Sequence, residues 1–302
     1  MNGMTFDDKF QIARSIKPIS RFILDKEMTK LIEIGADAEN QSPRARTGNN
    51  IVDYFTFQTR LETRGKYNIN FYEFIENIEE YKKKKFIQNM LLYYKTVKNK
   101  NGHMNQYTIL KEVYNICISA INIIRPLVYM EIYSKYQPKH ILDFCAGWGG
   151  AAVAAAALRI PNYIGIEINT DLEPGYKELK QYLMTRSFSK IHMIFKNALE
   201  VDYSNLYYDF VFTSPPYYFI QKYANNTPYK NKKEMDKLFY KPLFKKVYDG
   251  LERNGYYIIN ICKEVYENVL KDLLGEAHDI YPYKKSKRQN NYQELCYVWK
   301  KN

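Results

Sequence analysis

From residue 139 onward, short apolar runs alternate with helical patterns, and this alternation restricts the fold more than any other feature of the chain. The predicted strands are residues 140–144, 163–167, 190–195, 209–213 and 255–262, followed by a closing pair at 280–283 and 294–299. Strands that alternate with helices form parallel sheets with helices on both faces. We therefore predict an α/β fold with a doubly wound, mainly parallel sheet in a domain of residues 121–302. A mostly helical region over residues 1–120 precedes it and is a candidate for target recognition.

A glycine-rich turn follows the first predicted strand and opens an alanine-rich helix. Glycines at 147, 149 and 150 let the backbone turn tightly and approach a ligand closely, because no Cβ intervenes. Glu167 ends the next strand, where its carboxylate can accept hydrogen bonds from both hydroxyls of a ribose. The turn lacks both the GxGxxG pattern and the Lys-Ser/Thr of a phosphate-binding loop. The sequence therefore favours an adenosine-type cofactor without a pyrophosphate.

Two consecutive prolines follow the fourth predicted strand, in Ser214-Pro215-Pro216-Tyr217. Neither proline donates a backbone hydrogen bond, so the chain leaves the sheet in a stiff corner. An aromatic amine is a poor nucleophile, and acceptors such as Ser214 Oγ and the Pro215 carbonyl would aim it at a methyl donor. The Tyr217 ring would hold the base, which has to leave a duplex to reach such a site. Further substrate contacts are expected from Thr213, Tyr218 and Phe219.

The glycine turn resembles motif I of the class I S-adenosylmethionine-dependent methyltransferases. The corner resembles the hydrophobic-Thr-Ser-Pro-Pro-aromatic motif of N4-cytosine DNA methyltransferases, whereas N6-adenine enzymes usually have Asp or Asn at the serine position. The resemblance covers about residues 121–300 and implies S-adenosylmethionine as cofactor and DNA cytosine N4 as the preferred target.

The resemblance also implies roles for individual residues. Asp143 would lie near the methionyl amino group, Asn197 and Ala198 beside the adenine ring, and the Arg125-Pro126 segment over the methionine end. The implied cofactor residues are Asp143, Cys145, Ala146, Gly147, Trp148, Gly149, Glu167, Ile168, Asn197, Ala198, Arg125 and Pro126.

Target recognition needs residues outside these motifs. In many serine-type enzymes the proline corner comes first, but here the glycine turn does, and the stretch between them is taken up by strands. Target reading therefore falls to residues 1–120 or to basic loops at 221–237 and 284–291. The expected phosphate contacts are Lys222, Lys284, Lys285, Lys287 and Arg288. A net charge of +12 agrees with a polyanionic partner, with double-stranded DNA preferred and RNA as the alternative.

Several chemistries are not expected. The four cysteines form no CxxC pair and none follows a proline, which argues against a metal site, a disulfide framework and carbon-5 methylation of cytosine. No signal peptide and no membrane-spanning apolar run are recognised, so we expect a soluble, intracellular protein. Three alternatives stay open: an N6-adenine DNA or RNA methyltransferase, a non-catalytic nucleic-acid-binding subunit with the same fold, and a protein or small-molecule amine methyltransferase.

Overall fold

The computed structural model describes residues 3–65, 67–218, 228–282 and 295–302. Its strands are β1 (His140–Asp143), β2 (Asn162–Glu167), β3 (Lys190–Phe195), β4 (Phe210–Thr213), β5 (Tyr256–Ile261), β6 (Asp279–Pro282) and β7 (Leu295–Lys300). Within the described residues these seven strands form one sheet in the order β3-β2-β1-β4-β5-β7-β6. Strands β1 to β5 are parallel, and β7 is antiparallel to both β5 and β6. The prediction of a doubly wound, mainly parallel sheet is confirmed.

The strand order reverses at the centre of this sheet. Strand β1 pairs with β2 on one side and with β4 on the other, and the chain then continues outward in both directions. In open parallel sheets ligands bind beyond the carboxyl ends of the strands, where the order reverses. Asp143 ends β1 and Thr213 ends β4, so the glycine turn and the double-proline corner leave the sheet side by side at this point.

Helices cover both faces of the sheet. In the C-terminal half they are α8 (Pro126–Tyr136), α9 (Gly150–Ala157), α10 (Glu173–Met184), α11 (Lys232–Met235), α12 (Lys241–Gly250), α13 (Lys263–Val265) and α14 (Lys271–Leu274). Helix α9 is buried along its whole length, and its alanines allow close contact with the sheet because little side-chain volume intervenes. A Cβ added at Gly150 would lie 2.5 Å from the Ile124 carbonyl oxygen, so the segment before α8 crosses directly over the start of α9.

The N-terminal region is helical, as predicted. Its helices are α1 (Phe6–Ile16), α2 (Arg21–Ile34), α3 (Asn49–Glu62), α4 (Phe71–Glu76), α5 (Ile78–Lys82), α6 (Lys85–Tyr93) and α7 (Gln106–Cys117). Single polar side chains cap several of these helices: Thr5 and Asn70 form capping boxes, and Asn105 accepts from the Thr108 amide. Short 3-10 turns and π-helical stretches complete the chain, at Gly35–Asn40, Tyr94–Lys98, Thr170–Leu172, Ala198–Glu200, Tyr203–Asn205, Asp236–Tyr240 and Tyr266–Leu270.

The hydrophobic core crosses the predicted domain boundary at residue 120. Leu24, Leu31 and Val52 from α2 and α3 share one buried cluster with α8, α9 and the sheet. A second cluster lies entirely within the N-terminal region and contains Phe71 and Val113. Helices α2 and α3 therefore pack as part of the α/β layer, while α4, α6 and α7 form a separate helical core. The boundary itself stays a prediction.

Gly175 lies at a close backbone contact between the two regions. A Cβ at this position of α10 would lie 2.3 Å from the Phe55 carbonyl oxygen of α3, a backbone atom that cannot easily move. We expect Gly175→Ala to lower the free energy of unfolding by about 1–3 kcal/mol, as overpacking of a buried contact does. Thermal unfolding of this variant beside Glu178→Ala, an exposed change on the same helix, measures the effect. Equal melting temperatures for both variants would contradict this packing.

Candidate functional site

The glycine turn at residues 143–150 has a backbone shape that side chains rarely allow. Gly147 and Gly149 have φ angles of +57° and +95°, in the left-handed region that glycine tolerates best. The Gly147 amide donates a hydrogen bond to Glu167 Oε2 at 2.8 Å, and the Asn169 amide donates to Glu167 Oε1 at 2.9 Å. The Glu167 carboxylate therefore joins the ends of β1 and β2 and keeps lone pairs for a further donor.

Helix α10 supports the turn from one side. The Tyr176 hydroxyl donates to the Gly147 carbonyl at 3.0 Å, and a Cβ at Gly149 would lie 2.8 Å from Leu179 Cδ2. Tyr176 and Leu179 are fully buried. They hold the backbone of the turn in place, a role that their positions in the sequence did not indicate.

Helix α3 supports the turn from the N-terminal region. The Thr56 hydroxyl donates to the Trp148 carbonyl at 3.3 Å, and the Arg60 guanidinium lies 5.9 Å from the centre of the Trp148 ring. Arg60 is itself paired with Asp53, which also lies 3.2 Å from Lys17 Nζ. Part of the N-terminal region predicted for target recognition thus contacts the glycine turn directly.

Asp143 is a fully buried carboxylate at the end of β1. Its oxygens accept hydrogen bonds from Thr213 Oγ1 at 2.7 Å, from the Cys145 amide at 3.2 Å and from the Tyr163 hydroxyl at 3.3 Å. All three donors are neutral. Burial raises the pKa of Asp143 to about 6 although these hydrogen bonds lower it.

Thr213 was predicted to contact substrate, and the structure corrects this. Its side chain is fully buried and donates to Asp143, so it points beneath the corner and away from any acceptor base. The bond links the carboxyl ends of β1 and β4, one residue before Ser214. Thr213 therefore positions the two halves of the site relative to each other.

Glu167 also has an unusual protonation equilibrium. Enclosure by protein atoms raises its pKa to about 7, and the amides of Asn169 and Gly147 oppose this shift only in part. A ligand that donates hydrogen bonds to the ionised carboxylate would bring the pKa down. A ligand that carries hydrogen-bond donors and a positive charge would therefore stabilise the ionised forms of both Glu167 and Asp143.

The double-proline corner at residues 214–217 is built around a residue that the sequence motifs did not include. Asn260 Oδ1 accepts a hydrogen bond from Ser214 Oγ at 3.0 Å and another from the Tyr217 hydroxyl at 2.7 Å. Asn260 Nδ2 donates to the Leu295 carbonyl on β7 at 3.0 Å. The one signal in the sequence was a single amide within the apolar run of β5, where a buried polar side chain requires partners.

Tyr240 holds the far side of the corner. Its hydroxyl donates to the Pro216 carbonyl and accepts from the Tyr218 amide at 3.1 Å. This bond fixes Tyr218 at a φ of +39°, which is strained for a residue with a side chain. Among the described residues no donor reaches the Pro215 carbonyl oxygen, and its use by a substrate stays a prediction.

Tyr218 was predicted to extend the stacking surface for the base, and this is corrected. Its ring is buried against Tyr240, and its hydroxyl donates to Asp236 at 2.9 Å. Lys232 covers the ring at 4.9 Å and pairs with Glu264. Tyr218 is therefore a core residue that anchors the corner.

The Arg125-Pro126 segment lies near the turn, because the preceding residue Ile124 contacts Gly150. The Arg125 guanidinium donates to the Pro43 carbonyl and, at 3.0 Å, to the Ala45 carbonyl, because the chain of residues 43–45 offers unpaired oxygens there. Pro126 is the first residue of α8 and packs where a Cβ at Gly48 would be 3.0 Å away. The cofactor contacts of Arg125 and Pro126 stay predictions.

The remaining predicted residues fall into two groups. Asn197 caps the turn at Ala198–Glu200 by accepting from the Leu199 amide at 3.1 Å, and the Lys196 amide ties this segment to the Glu167 carbonyl. The cofactor contacts of Ile168, Asn197 and Ala198 stay predictions. Phe219, Lys222, Lys284, Lys285, Lys287 and Arg288 lie outside the described residues.

Two other features, a membrane-spanning helix and a metal site, are absent from the described residues. None of their helices has the length and apolar content needed to cross a membrane. No group of three or more histidine, cysteine or acidic side chains among them is arranged to hold a metal ion. The predicted basic loop at 221–237 is partly helical, since α11 begins at Lys232.

Comparison with known proteins gives one extended match. Residues 138–302, more than half of the chain, match the model of the RNA cap guanine-N2 methyltransferase family. A search of curated proteins finds no match.

Solved structures of similar shape share little sequence with the chain. TrmN from Thermus thermophilus is 15% identical over 59% of this chain and 49% of that protein, less than half of its length, with a TM-score of 0.44. An rRNA methylase from Streptococcus thermophilus is 15% identical over 60% of this chain and 100% of that one, with a TM-score of 0.42. A SAM-dependent methyltransferase from Methanosarcina mazei is 15% identical over 56% and 96%, with a TM-score of 0.40.

The side chains at the turn fit S-adenosylmethionine. This cofactor has a positive sulfur, an amino group and two ribose hydroxyls, and the turn offers the buried Asp143 with neutral partners and the Glu167 carboxylate with lone pairs to spare. The family match covers both carboxylates and the double-proline corner. The cofactor implied by this match is S-adenosylmethionine, and the chain belongs to the RNA cap guanine-N2 methyltransferase family.

Proposed function

We propose that this protein methylates the exocyclic N2 amino group of guanosine in RNA, with the cap guanosine as the first candidate. The observation that carries the proposal is the family match over residues 138–302. That region contains the Ser214, Tyr217 and Asn260 cluster, which is joined to the glycine turn through Thr213 and Asp143. The earlier preference for cytosine N4 in DNA gains no support from that match. The corner chemistry itself serves any exocyclic amine.

The proposed reaction divides the work between two groups of side chains. Asp143 and Glu167 bind and orient the cofactor, which supplies an electrophilic methyl group when bound. Ser214 Oγ and the Pro215 carbonyl accept the hydrogens of the amino group, which directs its lone pair toward the methyl carbon. The bound cofactor would give up its methyl group by breaking the methyl–sulfur bond and would leave as a neutral thioether. Ser214 Oγ and the Pro215 carbonyl would stabilise the positive charge on the amino nitrogen until one proton leaves to solvent. The Tyr217 ring positions the base.

This division of work makes cofactor binding depend on pH. The pKa of Asp143 is raised to about 6 and that of Glu167 to about 7, and the cofactor favours the ionised form of both. Affinity should therefore rise with pH up to about 7 and then level off, and binding at pH 6 should release protons. Between pH 8 and pH 5 we expect a loss of about 100- to 1,000-fold in affinity, because about 10-fold from Asp143 and about 100-fold from Glu167 multiply if both have to ionise. Calorimetry in buffers of different ionisation enthalpy measures both effects, and a flat affinity from pH 5 to 8 would contradict them.

Without ligand the same two carboxyls have the opposite effect on stability. Their folded pKa values exceed the ordinary values of 3.8 and 4.5, so the folded protein holds these protons more tightly than the unfolded chain. Their contribution to the free energy of unfolding therefore falls as pH rises from about 4 to about 7. Because the cofactor favours the ionised forms of both carboxyls, its binding should restore this contribution to the free energy of unfolding at higher pH.

The proposed substrate is tested by product analysis. The protein is incubated with methyl-labelled cofactor and, separately, with capped RNA, uncapped RNA and double-stranded DNA, and the nucleosides are identified by mass spectrometry. We expect label in N2-methylguanosine from RNA, with capped RNA preferred. Label in N4-methylcytosine or N6-methyladenine from DNA would overturn the proposal in favour of the DNA methyltransferases considered above.

A further inference from the structure

Asn260 makes three hydrogen bonds that together fix the direction of two hydroxyl protons. The side chain is 1% exposed, on β5 between β4 and β7. The Leu295 carbonyl can only accept, so the amide nitrogen of Asn260 has to face it. Oδ1 then faces Ser214 and Tyr217, and because Oδ1 carries no hydrogen both hydroxyls have to donate to it. The position of one backbone carbonyl thus determines the proton arrangement at the corner.

This arrangement decides what the corner offers a substrate. Once its hydrogen is given to Asn260, Ser214 Oγ has only lone pairs for other partners, and so has the Tyr217 hydroxyl. The two oxygens lie 3.3 Å apart and would otherwise bond to each other. A group with N–H hydrogens can therefore donate hydrogen bonds to these two oxygens. A carbonyl oxygen or an unprotonated ring nitrogen cannot bind here in the same way, because it is itself an acceptor and finds no donor. Guanine presents both kinds of group, an amino group at N2 and a carbonyl at O6.

We propose that Asn260 is a positioning residue that holds Ser214 and Tyr217 as hydrogen-bond acceptors and so selects an amino group as the methyl acceptor. The inference rests on the proposed function, since it assigns Ser214 to the target amine. Asn260 acts through these hydroxyls and does not itself touch the substrate. Its removal should therefore change turnover and leave cofactor affinity unaltered.

Asn260→Asp provides a test with a distinctive pH profile. A protonated aspartic acid can reproduce the native pattern, because its C=O accepts from the hydroxyls while its O–H donates to Leu295. The ionised form lacks that donor and repels the Leu295 carbonyl. Burial can raise the pKa of a carboxyl by about 3–5 units, which places this transition near neutrality. At saturating cofactor, kcat of Asn260→Asp should approach the wild-type value at low pH and fall by about tenfold across the new pKa.

A double-mutant cycle separates positioning from general structural damage. Asn260→Ala should lower kcat about tenfold when Ser214 is present and have a clearly smaller effect in a Ser214→Ala background, because only its bond to Tyr217 is then left to lose. The Kd of the cofactor should stay within about twofold, which keeps loss of folding apart from loss of positioning. Asn101→Asp, an exposed change in the N-terminal region, is the matched control and should behave like wild type.

The outcomes distinguish this inference from the proposed function. N2-methylguanosine formation with additive Asn260 and Ser214 effects, or with the pH profile of Asn260→Asp parallel to that of wild type, would overturn the inference alone. Methylation of a different nucleic-acid amine would overturn the proposed function, and the same cycle measured on that amine would then judge Asn260. Failure to label any nucleic-acid amine would overturn both.

Discussion

A Glu167→Ala variant is expected to bind S-adenosylmethionine at least about 100-fold more weakly than wild type, because two hydrogen bonds to a charged group are worth about 3–6 kcal/mol together. The change also leaves the amides of Gly147 and Asn169 without their acceptor, which loosens the turn that receives the cofactor. Isothermal titration with the cofactor alone gives the result without any assumption about the substrate.

Two companion variants make this measurement specific. Glu178→Ala removes an exposed carboxylate on α10 and should bind the cofactor normally. Glu167→Gln keeps one acceptor oxygen, so its affinity for the cofactor should lie between those of Glu167→Ala and wild type. Wild-type affinity in Glu167→Ala, with the fold intact by circular dichroism, would exclude Glu167 from the cofactor site.

The second large effect is expected at the transfer step. Ser214→Ala should lower kcat about 10- to 100-fold, as the loss of one hydrogen bond to a developing charge does at about 1.5–3 kcal/mol. Cofactor affinity should not change, since in the described structure the Ser214 hydroxyl donates to Asn260 and lies against Tyr217. Single-turnover rates at saturating cofactor measure the effect.

Ser204→Ala is the matched control for this variant. Ser204 is exposed on a short turn, and its hydroxyl donates only to Asp202. This control should show wild-type turnover. A Ser214→Ala variant with unchanged kcat would remove Ser214 from the transfer step, and one with weakened cofactor binding would assign it to the other half of the site.

Much of the fold follows from local sequence patterns. Strands buried on both faces of a parallel sheet give continuous apolar runs, and the glycine turn and proline corner interrupt those runs at the positions where β1 and β4 end. Asp143, Glu167 and Ser214 could be recognised because each lies directly after a strand. Their predicted neighbourhood agrees with the strand order β2-β1-β4.

The partners of these residues could not be read in the same way. Asn260 and Tyr240 reach the corner from positions 46 and 24 residues away in the chain, through contacts that only the assembled sheet creates. The orientation of Thr213 depends on the buried Asp143 carboxylate. The Thr213 hydroxyl donates its hydrogen to that carboxylate, so this hydrogen is not available to a substrate. Local patterns contain no information about such pairings.

The double-proline motif could not predict which base is the target, and the reason is chemical. Cytosine N4, adenine N6 and guanine N2 are all aromatic amines that need hydrogen-bond acceptors and a stacking surface. Ser214 and Tyr217 supply these for any of the three, so the corner predicts an amino group and no particular base. The preference for guanine in RNA comes from the family match over residues 138–302.

The most direct test of the account compares RNA containing guanosine with the same RNA containing inosine, which lacks only the N2 amino group. Initial rates of methyl transfer are measured at saturating cofactor, with cytidine and adenosine content held constant. We expect transfer to the guanosine RNA and none above background to the inosine RNA. Equal transfer to both would contradict the claim that this corner holds the N2 amine of guanine.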